Sequence, residues 1–235
     1  MKRATPARLG VGRAGPRYTT ASMLALRADH ARAVDAVLTE VPRDWARHDG
    51  LIEVNSEART REEYLRYPER GRRLDADGIA RVKRLASQSK RAAKSSVLIC
   101  VGDGLSSAAV EKNAAPLLKA LNRSLGRRYR LLKPLFIRNA RVRIEDHLGE
   151  LLRLDVVCML VGERPGLATV ESLSAYVIYH PTLKSAEPDR TVISNIHRGG
   201  IPIAAAARKI AAVIDDAIRL GASGAALAAQ TSPSV

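Results

Sequence analysis

Two apolar runs of strand length stand out along the chain, and each ends in a glycine-rich turn. Residues 97–101 lead into Gly-Asp-Gly at 102–104, and residues 156–161 lead into Gly-Glu-Arg-Pro-Gly at 162–166. Unbroken apolar runs rich in β-branched residues predict strands that are buried on both faces. Open α/β sheets bind ligands at the carboxyl ends of such strands. The turn that sets Glu163 beside Arg164 is therefore a candidate binding site, although an ordinary strand end with solvated charges fits the same pattern.

Helical periodicity predicts helices around these strands. Residues 21–41 carry an apolar stripe at helical spacing, which predicts a first helix packed on a core or on a partner subunit. Its members are Met23, Leu26, His30, Val34, Val37 and Val41. A last helix is predicted to begin near Pro202 and to end before Gly221. Proline is favoured in the first turn of a helix, and glycine directly after its last residue.

Strands and helices alternate between residues 95 and 221, and this order predicts an α/β fold. We expect an open mixed or parallel sheet covered by helices, with a smaller and mostly helical N-terminal region. The predicted division is an extended arm and helical region at 1–94, the α/β domain at 95–222 and a flexible tail at 223–235. Residues 173–179 predict another strand, and 144–152 a short helix.

The charge is high and unevenly distributed. The chain carries a net charge of +15, and nine Lys or Arg but no Asp or Glu lie between Lys119 and Arg143. Such a stretch attracts phosphates or an acidic protein surface, so a basic nucleic-acid-binding protein is one alternative. Only 3% of the residues are aromatic, which leaves few platforms on which bases could stack.

Several other classes are disfavoured by the composition. The longest apolar runs are too short for a membrane span, and MKRATPARLG at the start lacks the apolar segment of a secretory signal. Cys100 and Cys158 lie inside apolar runs, which predicts reduced, buried thiols in the cytosol. The Gly-x-Gly-x-x-Gly pattern at 10–15 follows no strand, so we do not interpret it as a dinucleotide site.

The remaining polar residues form no catalytic or metal-binding set. Asp103 and Ser106 follow a strand and precede a helix. The backbone amides and the helix N-terminus there could receive an anion, or Asp103 or Ser106 could simply cap the helix. The five histidines are scattered, and Asp146-His147 lacks the Asp-x-His-x-x-Gly pattern of cobalt-ligating histidines. We therefore assign no catalytic and no metal-ligating residue. A subunit or binding module fits this sequence better than a self-sufficient enzyme.

The motifs in this order resemble the small (light) subunit of ethanolamine ammonia-lyase. The resemblance rests on TPARLGVGRAGPRYTT, LRADHARAVDAV, VGDGLSSAAVEKNA, VGERPGLATVESLSAYVIYHP and DRTVISNIHRGG, and it covers most of the chain. It implies an ammonia-lyase that uses adenosylcobalamin to convert ethanolamine into acetaldehyde and ammonia by radical chemistry. It also implies a large barrel subunit as partner, a hetero-oligomer of several large and small pairs, and neither nucleic acid nor membrane as a partner. A cytoplasmic location follows, with enclosure in a bacterial microcompartment left open.

The resemblance also implies the residues that contact the cofactor. Carried over by position, they are Val142 in ARVRIED, Glu163 in VGERPG and Val192 in DRTVISN. Val142 would offer backbone polar groups or an apolar edge, and Glu163 would accept hydrogen bonds from corrin amides. Other members have cysteine where this chain has Val192, so a contact there has to be backbone or van der Waals in kind. The basic stretch would meet an acidic face of the large subunit or the phosphate of the cofactor's nucleotide tail.

Overall fold

A central mixed sheet organises the computed structural model, which describes residues 8–88, 94–126 and 128–231. Its strand order is β3-β6-β4-β7-β8-β9, with β5 beside β4. The strands are β3 (Ile52–Asn55), β4 (Ser96–Gly102), β5 (Arg130–Leu131), β6 (Leu135–Arg138), β7 (Val156–Gly162), β8 (Leu173–Tyr179) and β9 (Arg190–Ile196), preceded by a small hairpin of β1 (Arg13–Ala14) and β2 (Arg17–Tyr18). The helices are α1 (Thr20–Leu38), α2 (Trp45–His48), α3 (Arg61–Arg66), α4 (Ala76–Gln88), α5 (Ser107–Leu125), α6 (Ile144–Leu152), α7 (Ile203–Leu220) and α8 (Gly224–Thr231).

The sheet changes direction part-way across. Strands β3, β6, β4 and β7 run parallel, whereas β8 and β9 continue from β7 as antiparallel neighbours. Every residue of β4 and β7 is buried, as the two apolar runs predict. The carboxyl ends of β4, β6 and β7 therefore meet at one edge, and both glycine-rich turns lie there.

Helices cover both faces of this sheet. On one face, apolar residues of α5 and α7 pack on Val97, Ile99 and Val101 of β4. On the other, Ile144 and Leu148 of α6 pack on residues that include Leu98 and Cys100. Because β4 alternates its side chains between two covered faces, it has no polar side. The predicted α/β fold with a mixed sheet is confirmed.

Several elements add to the sequence-based expectations. The N-terminal region, expected to be mostly helical, also contributes β3 to the sheet through parallel pairing with β6. Residues 190–196 form β9, a strand that the sequence patterns did not predict. Pro116 lies inside one continuous helix, α5. Gly224–Thr231, within the segment expected as a flexible tail, form α8, while residues 1–7, 89–93, 127 and 232–235 lie outside the described residues.

The first helix ends at Leu38, three residues earlier than predicted, and it leaves most of its apolar residues exposed. Val41, the last member of the predicted stripe, lies beyond the helix and is buried in the core. Met23, Leu26 and Val34 are 42%, 37% and 41% exposed, and only Ala36 of the helix is buried. Leu24 and Leu38 reach 57% and 59%. His30 is also exposed, so a core histidine is the wrong interpretation and a partner-facing helix remains.

The two cysteines are free and fully buried, which agrees with the sequence-based expectation of core thiols. Burial raises the pKa of both thiols, so neither is a reactive thiolate at neutral pH. None of the helices in the described part of the chain combines the length and apolar character that crossing a bilayer requires.

Candidate functional site

A cavity of about 400 Å³ opens at the carboxyl ends of β4 and β7. The turn after β7, the segment before α6 and the adjoining ends of β8 and β9 form its walls. Its lining residues are Tyr64, Gly104, Leu105, Ala140, Arg141, Val142, Val161, Gly162, Glu163, Arg164, Ser174, Tyr176 and Ser194. Val142 and Glu163 are 21 positions apart in the sequence, yet both line this cavity.

Glycines allow the two strand-end turns to touch backbone to backbone. A Cβ on Gly162 would lie 2.2 Å from the carbonyl oxygen of Ser106, and one on Gly104 would lie 2.3 Å from that of Gly162. The Leu105 N–H donates to the Gly162 carbonyl at 3.0 Å. Gly104 also has a φ of +59°, a conformation that side chains disfavour. The floor of the cavity is therefore rigid backbone.

Asp103 and Ser106 are occupied by structural contacts. The carboxylate of Asp103 accepts from the amides of Asn139 and Ala140 at 2.8 and 3.1 Å, which ties β4 to the segment after β6. Ser106 caps α5 by accepting from the Ala109 amide at 3.1 Å and donates to the Val170 carbonyl. The capping interpretation is thus the right one, and these side chains hold the cavity together.

Glu163 is anchored by one oxygen. Its Oε1 accepts from the hydroxyl of Ser174 at 2.6 Å and from the backbone N–H of Asn195 at 2.8 Å. These bonds join the turn after β7 to β8 and β9. Within the described residues Oε2 has no hydrogen-bond partner, so the carboxylate can accept further hydrogen bonds in the cavity.

A bulge in β9 aims the Asn195 amide at Glu163. The register between β8 and β9 shifts between Leu173 and Ala175, and Asn195 adopts a φ of +61°. His197 steadies it, because its Nδ1 accepts from the Gly199 N–H and its Nε2 therefore donates to Oδ1 of Asn195 at 2.8 Å. Bulges commonly re-aim a group beside a site in this way.

Val142 lies on the opposite wall, immediately before α6. Its side chain packs on the core beside Ile144, and its carbonyl accepts from the Glu145 N–H at 3.1 Å. No described residue pairs with its own N–H, which leaves a backbone donor beside the cavity. The segment is fixed on its other side by the Arg141 N–H, which donates to the Gly71 carbonyl at 2.8 Å.

Val192 lies beside this cavity but does not line it. It is 46% exposed on β9 and faces Tyr176 across the strand pair, and Tyr176 does line the cavity. Ser194, two positions further on the same strand, reaches the wall. The structure thus brings Val142 and Glu163 together and leaves Val192 at the margin.

A buried ion-pair cluster joins β9 to α6 behind the site. Arg190, at the start of β9, donates to Glu145 at 3.2 Å and to Asp146 at 2.5 Å, and the three side chains are 1%, 0% and 2% exposed. Burial raises the pKa of both carboxyls, although Arg190 opposes that shift. The cluster fixes the strand that carries Val192 and Asn195 relative to the segment that carries Val142.

Comparison with known proteins places the chain. Residues 1–228 match the family described as "Ethanolamine ammonia-lyase light chain (EutC)". The ethanolamine ammonia-lyase small subunit of Clostridioides difficile (strain 630) is 45% identical over 226 residues, covering 95% of this chain and 75% of that protein. The small subunits of Listeria monocytogenes serotype 4a (strain HCC23) and Lachnoclostridium phytofermentans are each 44% identical, covering 95% of this chain and 75% and 74% of those proteins.

The chain belongs to the ethanolamine ammonia-lyase light chain family.

In this light-chain family member, four of the nine cations in the basic stretch pair with carboxylates of the same chain, among the residues that the structure describes. Most of these pairings reach other elements of the sheet and helices: Lys119 with Asp49, Arg128 with Asp215, Arg138 with Glu53 and Arg143 with Asp146. A nucleic-acid interface needs such cations free on one surface. The structure therefore gives no support to the nucleic-acid alternative.

Several residues at the site of this light-chain family member could not be predicted from the sequence. Ser174, Asn195 and Tyr176 reach the site through strand pairing that no local motif records. One signal was present: DRTVISN contains Val192 and Ile193 in strand-like order, but its polar residues suggested a loop. Within the described residues, no group of three or more His, Cys, Asp or Glu is placed to hold a metal ion.

Proposed function

We propose that this chain is the small subunit of an adenosylcobalamin-dependent ethanolamine ammonia-lyase and that it holds one edge of the cofactor against a large subunit. The observation that carries the proposal is the half-anchored carboxylate of Glu163, which faces Val142 across a cavity in a chain of this family. When bound, adenosylcobalamin supplies the radical chemistry that converts ethanolamine into acetaldehyde and ammonia. The chain's own residues bind and orient it.

Glu163 has the chemistry to hold the rim of a corrin. Corrin side chains end in amides whose N–H groups need acceptors, and Oε2 of Glu163 is an acceptor without a protein partner in the described residues. Because Oε1 is held by Ser174 and Asn195, the carboxylate is oriented before the ligand arrives. A charge-assisted hydrogen bond to such a preorganised group is worth more than a neutral one.

The opposite wall complements this acceptor. The N–H of Val142, which pairs with no described residue, suits a carbonyl oxygen of a corrin amide, and the ring of Tyr176 offers apolar contact. Val192, beside Tyr176, extends that apolar surface, so its proposed contact is van der Waals in kind. A cavity of about 400 Å³ holds only part of so large a cofactor. The rest has to be covered by a second protein surface.

The exposed helix α1 is the surface that we propose meets the large subunit. Its apolar residues lie in solvent in the isolated chain, and apolar patches of this sort mark protein interfaces. The relatives are named as small subunits, which requires a larger partner. A hetero-oligomer of several such pairs, located in the cytoplasm, follows from the same proposal.

Cofactor titration of the reconstituted complex with the large subunit tests the proposal. Glu163→Ala should lower the affinity for cobalamin, followed by absorbance, by about 10- to 150-fold, the range expected for a hydrogen bond to a charged group. Glu171→Ala is the matched control, because Glu171 is a nearby carboxylate that pairs with Lys112 outside this cavity. An unchanged affinity for Glu163→Ala would remove this residue from the site. Full turnover of ethanolamine by a preparation lacking this chain would refute the function itself.

A separate experiment addresses the partner surface. Leu24→Asp should weaken co-purification with the large subunit, because it places a charge at an interface that must lose its water. Ala226→Asp, an exposed position on α8, controls for the added charge on a helix. Equal retention of the large subunit by both variants would contradict the assignment of α1 to this interface.

A further inference from the structure

One wall of the cavity contains Arg141, whose guanidinium pairs with no carboxylate among the described residues. Arg141 lies over the ring of Tyr64 with its guanidinium carbon 4.2 Å from the ring centroid, and Arg61 lies 4.8 Å from the same centroid. The Nη2 group of Arg141 donates to the Tyr64 carbonyl at 3.0 Å. Its Nε is buried and has no hydrogen-bond partner among the described residues.

The neighbouring carboxylates do not satisfy this guanidinium. Within the described residues no carboxylate lies within ion-pair distance of Arg141, Arg61 or Arg164. The carboxylate of Asp103 already accepts from two backbone amides. A guanidinium that lines a cavity without a carboxylate partner among the described residues can use its remaining N–H groups to bind an anionic ligand.

Arg141 differs from several other arginines of the basic stretch. Arg128, Arg138 and Arg143 each contact a carboxylate, whereas Arg141 contacts none among the described residues and lines the cavity, stacked on Tyr64. A stacked guanidinium keeps its edge free for a planar or tetrahedral anion. Gly71 makes room for it, because a Cβ there would lie 2.7 Å from Cγ of Arg141.

We propose that Arg141 binds the phosphodiester of the cofactor's nucleotide tail, with Arg164 supplying a second cation from the facing turn. The inference rests on the proposed function and assigns this chain's residues to one part of the ligand. The amide side chains of a corrin are neutral, and the phosphodiester is the anionic group of cobalamin. Guanidinium groups recognise phosphate oxygens through paired N–H donors.

The geometry around Arg141 is already fixed. Its own N–H donates to Gly71, and the two residues before it donate their amides to Asp103. The phosphate and the corrin rim would thus be held from one short segment, Arg141 through its side chain and Val142 through its backbone. Such preorganisation reduces the cost of ordering the site on binding.

The test compares two ligands that differ in the nucleotide tail. Hydroxocobalamin carries the phosphodiester and aquocobinamide lacks it, and each is titrated by absorbance into the complex with the large subunit. Arg141→Met should weaken hydroxocobalamin binding about 10- to 150-fold and aquocobinamide binding less than threefold. Arg141→Lys, which keeps the charge without the forked donors, should give an intermediate loss confined to hydroxocobalamin.

Arg143→Met is the matched control, because Arg143 lies two residues away but contacts Asp146 and does not line the cavity. It should bind both ligands as the parent does. Equal losses for both ligands in Arg141→Met and Arg141→Lys would overturn the proposal, as would unchanged binding of hydroxocobalamin in a folded Arg141→Met complex. Loss of the large subunit from the folded Arg141 variants would assign the guanidinium to a partner carboxylate instead and would also overturn it.

Failure of the proposed function would look different. In that case the parent complex would bind neither hydroxocobalamin nor aquocobinamide. A second readout is the ³¹P resonance of bound hydroxocobalamin. It should move towards the position of the free ligand in Arg141→Met, while Arg143→Met leaves it unchanged. A resonance that does not respond to Arg141→Met contradicts contact with the phosphate.

Discussion

Arg190→Met should destabilise the chain strongly, because among the described residues Arg190 is the cation that contacts both members of a buried pair of carboxyls. Arg190 is 1% exposed in its side chain, and it bridges Glu145 and Asp146, which are 0% and 2% exposed. Methionine fills a similar volume without donors. The two carboxyls would remain buried without the positive charge of Arg190. The carbonyl of Ala186 would also lose the hydrogen bond that Nη1 of Arg190 donates to it at 2.7 Å.

The magnitude follows from two independent arguments. Removing one partner from a buried ion pair costs about 3–5 kcal/mol. Counting bonds gives a similar figure, since two hydrogen bonds to charged groups at about 1.5–3 kcal/mol each sum to about 3–6 kcal/mol. For a chain of this size, 1 kcal/mol corresponds to about 2–4 °C in Tm. The melting temperature should therefore fall by about 6–20 °C.

The loss of folding stability in Arg190→Met should also depend on pH. In the parent, burial already raises the pKa of Glu145 and Asp146 in the folded state, and loss of Arg190 raises both further. The folded variant then binds protons more tightly than its unfolded chain, so its stability falls as the pH rises through the folded pKa values. The difference from the parent should narrow between pH 8 and pH 5 as the carboxyls become neutral.

Urea unfolding followed by circular dichroism at pH 8 and pH 5 measures both effects. Arg143→Met is the comparison, because Arg143 contacts the same Asp146 from a position that is 32% exposed and leaves the bond from Arg190 in place. It removes one hydrogen bond to a charged group, so it should cost about 1.5–3 kcal/mol, less than Arg190→Met. A loss below about 1 kcal/mol in Arg190→Met, or a deficit that widens towards pH 5, would refute the role assigned to the buried cluster.

Two further substitutions test the frame of the site. Gly162→Ala should cost about 1–3 kcal/mol in urea unfolding, because the new Cβ would meet the Ser106 carbonyl oxygen at 2.2 Å, whereas Gly166→Ala, with its nearest atom at 3.7 Å, should be nearly neutral. Asp155→Asn should cost about 1–2 kcal/mol at pH 7, because the carboxylate accepts from the N–H and hydroxyl of Ser96, bonds that outweigh burial and lower its pKa. A carboxyl whose pKa is lowered on folding stabilises the fold above its unfolded pKa of about 3.9. The stability difference between Asp155→Asn and the parent should therefore vanish in acid. A difference that does not change with pH would contradict this role of the carboxylate.

The sequence predicted the centre of the sheet well and its edges poorly. The strands at 97–101 and 156–161 are buried on both faces, so apolar character alone identifies them. Strand β3 is only Ile52–Asn55, and it exists because it pairs with β6 more than 80 residues away. Strand β9 lies at the sheet edge with a bulge and four residues that are not buried, a pattern that resembles a loop. Edge strands form because they pair with strands that are distant in the sequence, and a short segment of sequence does not show that pairing.

The same distinction applies to the site. Glu163 could be singled out because a charged turn after a buried strand is visible in the sequence. Its anchors could not, because Ser174 and the Asn195 amide reach it only once β8 and β9 pair. Arg190 followed by a hydroxyl residue suggests a surface position, yet it is buried because its charge is matched by carboxyls from α6. On α1 the periodicity was visible, but a stripe does not reveal whether its cover lies in the same chain.

Two unsatisfied groups of opposite charge line one cavity, and together they restrict the ligand. Oε2 of Glu163 requires hydrogen-bond donors, whereas Nε of Arg141 belongs to a guanidinium that requires an acceptor. A simple anion would satisfy Arg141 and be repelled by Glu163, and a simple amine would do the reverse. A direct pair between the two residues would satisfy both, but Oε1 of Glu163 is held towards β9 and the Arg141 fork towards Tyr64. A ligand that satisfies both groups must therefore offer a hydrogen-bond donor to Glu163 and an acceptor to Arg141.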